Sequence, residues 1–63
     1  MKDKNTIINE LEQMSTERLV EFHESHLRMQ KSTDNPLKKK NHAEIRNEIF
    51  CILSERDKEH LIL

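Results

Sequence analysis

A chain of 63 residues has room for one domain and a thin core, because at this size only about 60% of the unfolded chain's surface is buried on folding. A formal net charge of −1 gives the whole molecule no field that would draw it to a polyanion, and the lone Cys51 excludes an intrachain disulfide and suits a reducing compartment. The absence of Gly and the single Pro exclude tight β-hairpin turns and phosphate-cradling loops, whereas the abundant Glu, Lys, Leu and Arg lose little rotamer freedom in a helix and favour an all-α fold.

The start, Met1-Lys2-Asp3-Lys4-Asn5, carries both signs of charge, and Ile7-Ile8 is interrupted by Asn9-Glu10, so no signal peptide is expected. The longest apolar run, Ile49 to Leu53, is far shorter than the roughly 20 residues that span a bilayer, which predicts a cytoplasmic protein with no membrane partner. A charged content of 37% and a mean hydropathy of −0.92 raise the question of disorder. Leu, Ile, Val and Phe nevertheless make up 16 of the 63 residues, above the roughly 20% below which disorder is expected, and they recur at regular spacing. The scarcity of Gly and Ala beside abundant Lys, Ile and Asn suits an AT-rich genome, bacterial or phage.

The first predicted element is a helix over about residues 5–31. Ile8, Leu11, Ser15, Leu19, Phe22, His26 and Met29 step by threes and fours and share one stripe of it. Two members of the stripe are polar. Ser15 is also the start of Ser-Thr-Glu, a hydroxyl followed by an acid, which is how a helix begins. The helix is therefore either continuous or broken near residues 14–16.

Ser32-Thr33-Asp34-Asn35-Pro36 is the clear stop, combining turn formers with a proline that disfavours helix at the residue before it. The predicted turn covers 32–35. A second helix runs from about 36 to about 60, with Asn35 as cap and Pro36 in its first turn; Asn41-His42-Ala43-Glu44 offers a rival, capping-box-like start. Ile45, Ile49 and Ile52 form its main stripe, and Phe50 and Leu53 widen it. Two long helices joined by a short polar turn lie antiparallel, so the expected architecture is a helical hairpin in a single domain, 1–63, of the kind that dimerises into four-helix bundles.

Five apolar residues in a row, Ile49-Phe50-Cys51-Ile52-Leu53, cover the whole circumference of a helix, and one partner helix cannot hide them all. With Ile45, Ile49 and Ile52 against the first helix, Phe50 and Leu53 project to the side. Phe22, Ile45, Ile49, Phe50, Ile52 and Leu53 are thus the candidate protein-binding residues, in a small non-enzymatic regulator, an inhibitor or adaptor, whose partner is another protein or a second copy. If the first helix is broken, its initial segment instead folds across that side with Ile7, Ile8 and Leu11.

The alternative partner is nucleic acid. Residues 28–42 carry Arg28, Lys31, Lys38, Lys39 and Lys40 against Asp34, a local charge of +4, while residues 10–24 carry five Glu against Arg18, a local charge of −4. Clustered cations release counterions from a phosphate backbone, although no aromatic side chain stands nearby to stack on a base. Metal and catalytic readings are weaker. His23 and His26, spaced i and i+3, lack further ligands in a known pattern, and His26 is expected at the edge of the core with His23, His42 and His60 in water. Glu44 and Glu48 read as solvated face charges, and Cys51, inside an apolar run, reads as a small hydrophobe rather than a nucleophile. No cofactor, metal or catalytic residue is expected.

Overall fold

The computed structural model describes residues 4–63; Met1, Lys2 and Asp3, and with them most of the charged start, lie outside the described residues. The described chain is all-helical: α1 (Lys4–Glu12), α2 (Thr16–Ser32), α3 (Pro36–Glu55) and a terminal 3₁₀ turn (Glu59–Leu61). The body is flat, 33 × 26 × 14 Å. Among the described residues no helix is long and apolar enough to cross a membrane.

The first predicted helix is broken, and the break lies where Ser15, one of the two polar members of its stripe, stands. The amides of Gln13 and Met14 donate to Glu10 and Leu11, tightening the end of α1. Ser15 then takes an extended conformation, and its side chain accepts the Arg18 N–H at 3.2 Å. One of the unsatisfied amides at the start of α2 is met in this way, and Glu17 sits in the first turn where the macrodipole favours an acid. Met14 before the cap and Leu19 four residues into α2 occupy the two positions of a hydrophobic staple, and both join the core cluster.

At the bend, the Thr33 N–H closes α2 on the Met29 carbonyl, and Asn35 Oδ1 accepts from the amides of Leu37 at 2.9 Å and Lys38 at 3.4 Å. Pro36 fills the first position of α3, where its missing N–H costs nothing. The rival start at Asn41 is unused, since α3 is already helical from Pro36.

The second predicted helix stops at Glu55 rather than near residue 60. Lys58 N–H bonds the Leu53 carbonyl at 2.8 Å and Asp57 N–H bonds that of Ser54 at 3.0 Å, the paired bonds of a Schellman motif. The motif needs a left-handed residue after the cap, and in a chain without Gly that position falls to Asp57, at φ 60°.

Leu11, Leu19, Ile49, Ile52 and Leu53 form the core, with Ile7, Met14, Val20, Phe22, Ile45 and Ile62 packed partly against it. Side chains of α2 and α3 meet along a shared seam: Arg56 reaches Thr16, Arg46 reaches Gln30, and His42 meets His26. The α2 face on this seam is therefore Thr16, Leu19, His23, His26 and Gln30. That differs from the stripe expected of a continuous helix because the break at residues 13–15 resets the helical phase. Met29, expected on the stripe, is consequently exposed.

Candidate protein-binding surface

The six candidate protein-binding residues divide into core and flank. Ile49 and Leu53 are fully buried and Ile52 nearly so. The expectation that Leu53 projects to the side is thus corrected: α1 lies against α3, and its Leu11 shares the cluster in which Leu53 is buried. Phe22 and Ile45 are half-buried, and Phe50 stands at 36% exposure.

What remains uncovered lies on two sides of α3. On one side Phe50 lines an open groove of about 340 Å³ with Ala43, Arg46, Asn47 and His23, continued by Ile62 and Leu63 from the chain's end. Leu63 is almost wholly exposed. On the other side Ile7 and Ile8 of α1 and Ile45 of α3 line a smaller, apolar groove of about 160 Å³ beside Glu44 and Glu48. A third depression, lined by Arg18, Glu21, Phe22, Glu24, Ser25 and Arg28, lies along α2 alone and has no second wall. Cys51, read from sequence as a small hydrophobe rather than a nucleophile, is a free and exposed thiol. It is the one member of the apolar run that faces water without a groove.

The histidines differ most from the sequence reading. His23 and His26 are both buried, His42 is half-buried, and only His60 is exposed. The phase shift of α2 carries His23 onto the seam. His26 Nδ1 lies 2.8 Å from His42 Nδ1, with the rings 5.0 Å apart, and the Phe22 ring meets His26 edge-on at 4.5 Å. Burial lowers the pKa of both His23 and His26 by penalising their charged forms; the cation of Arg46 adds to this at His23, and His42 and His23 add to it at His26. The partnership of His26 with His42 across the two helices was not legible from spacing along one helix. Among the described residues no group of three or more His, Cys, Asp or Glu is placed to hold a metal ion.

The cations of the bend, Arg28, Lys31, Lys38, Lys39 and Lys40, are all exposed. The last three occupy the first two turns of α3, the end at which the macrodipole is positive. No protein-family model matches the chain, and no curated protein or solved structure was found to resemble it.

Proposed function

We propose that this chain is a small, non-enzymatic protein-binding regulator of the cytoplasm, an inhibitor or adaptor, that docks the Phe50 flank of α3 on another protein. In this reading α2 and α3 act as an antiparallel hairpin with α1 across one side. The open flank completes the bundle by self-association into a homodimer or by taking a helix of a target. The observation that supports it is the continuity of Phe50, Ile62 and Leu63 along one open groove, beside the polar His23, Arg46 and Asn47; exposed apolar side chains rimmed by polar ones mark interaction sites.

Phe50→Glu tests this. Because Phe50 already reaches solvent, a carboxylate there stays hydrated and the helix content should persist. Sedimentation at micromolar concentration should find the wild type associated, with itself or with its target, and the mutant monomeric. A monomeric wild type whose partners in extract are all retained by Phe50→Glu overturns the proposal.

A second reading, a nucleic-acid-binding tip, is favoured by one observation: Lys38, Lys39 and Lys40 crowd the end of α3 where both their mutual repulsion and the macrodipole oppose them. Binding through that tip weakens steeply with salt, whereas docking dominated by apolar burial does not.

A further inference from the structure

The α2–α3 seam contains a pair of facing imidazoles that the protein-binding reading does not use. His26 and His42 face each other Nδ1 to Nδ1 at 2.8 Å across the two helices. A hydrogen bond at this distance needs one proton between the nitrogens, so one ring carries its proton on Nδ1 and donates while the other keeps its Nδ1 lone pair and accepts. Protonating the donor ring at its outer nitrogen leaves that bond in place and makes it charge-assisted. Protonating both rings sets N–H against N–H and two cations side by side, and no tautomer relieves it.

We propose that the His26–His42 contact is a proton-operated latch on the seam: it is closed while the two rings together carry at most one positive charge, and it opens when both are protonated. The surroundings bias it the same way. On α2, His23 lies one turn before His26 and is itself buried; on α3, Arg46 brings a fixed cation to the cluster. Glu24 on α2 acts in the opposite sense on His23, where it is the smallest of the three influences. The partner next to His26 on its own helix is the uncharged Phe22 ring.

The sign follows from linkage. A histidine whose charged form is disfavoured in the folded state contributes its full stability above the ordinary value of 6.5 and loses it as the pH falls below that value. Each proton that the closed seam excludes raises the unfolding equilibrium constant about tenfold between about pH 7.5 and about pH 5.5, a window in which exposed carboxylates are silent.

The experiment is urea unfolding of the intact chain, followed by circular dichroism at the two pH values, for wild type, His42→Asn and His23→Gln. Asn places an amide near the Nδ1 position that can bond His26 but cannot take a proton. The wild type should show a rise of at least tenfold, His42→Asn should lose about tenfold of it, and His23→Gln should keep the share that belongs to the pair. The latch is overturned by a wild-type equilibrium that is the same at both pH values, or by His42→Asn retaining the whole dependence. Should His42→Asn not fold, His26→Asn poses the same question from the other helix. In either case ring-proton titration of the wild type by NMR decides: both rings charging near pH 6.5 without loss of the native spectrum also overturns the proposal.

Discussion

Asp57 holds the one left-handed backbone conformation found at a non-glycine residue among the described residues, φ 60°. A side chain there crowds the following carbonyl, at a cost of about 1–2 kcal/mol that Asp and Asn bear better than others. Its carboxylate also stands just past the C-terminus of α3, where the macrodipole favours cations. Asp57→Gly should therefore stabilise the protein by about 0.5–1 kcal/mol, even after the larger unfolded-state entropy of Gly is counted. A higher urea midpoint with an unchanged slope checks this, and Asp57→Val should move the midpoint the other way. The conformation could not be read from the residues themselves. Arg56-Asp57-Lys58 carries no Gly to announce a helix end, and the apolar Leu61 and Ile62 beyond it extend the helical pattern to about residue 60.

At the scale of elements, the two long helices and the bend were legible because Pro36, the Asn35 cap and the 3–4 spacing of apolar residues are local signals. The break at Ser15 was legible as a cap whose use local propensity could not decide. What closed that question is a long-range contact. Arg56, at the end of α3, donates from Nη2 to the Glu12 carbonyl at 2.9 Å and from Nη1 to Thr16 Oγ1 at 3.3 Å, clasping the end of α1 and the start of α2 together. No spacing rule links residues 40 positions apart, and the same is true of His26 with His42. The protein-binding candidates divided for a related reason: periodicity identified Ile49, Ile52 and Leu53 as apolar, and only the position of α1 decided which of them is covered. Arg56→Leu removes both bonds but leaves the carbonyl open to water, so a loss of about 1–2 kcal/mol is expected. Arg56→Lys should restore little of it, because an ammonium lacks the fork that reaches two acceptors. Urea unfolding of the two variants measures both.

For the whole molecule, charge is arranged lengthwise along α2, with Glu17, Glu21 and Glu24 toward its start and Arg28 and Lys31 toward its end, in the sense its macrodipole favours. The three lysines of α3 run against theirs. Replacing Lys38, Lys39 and Lys40 together by Gln should accordingly leave the fold intact and raise its stability slightly, by about 0.3–1 kcal/mol. Thermal unfolding at low salt reads the gain, and an unfolded triple mutant would mean that the bend is packed rather than solvated. The Arg56 clasp bears on synthesis as well as stability. A ribosome delivers the chain amino end first, so α1 and α2 leave the exit tunnel before the residues that cover Leu11 and Leu19, namely Ile49, Ile52 and Leu53, can reach them. Short helices without a tertiary partner are marginal in water. The corner between α1 and α2 therefore gains its core contacts and its Arg56 clasp together and late, once α3 and the guanidinium of residue 56 have left the exit tunnel.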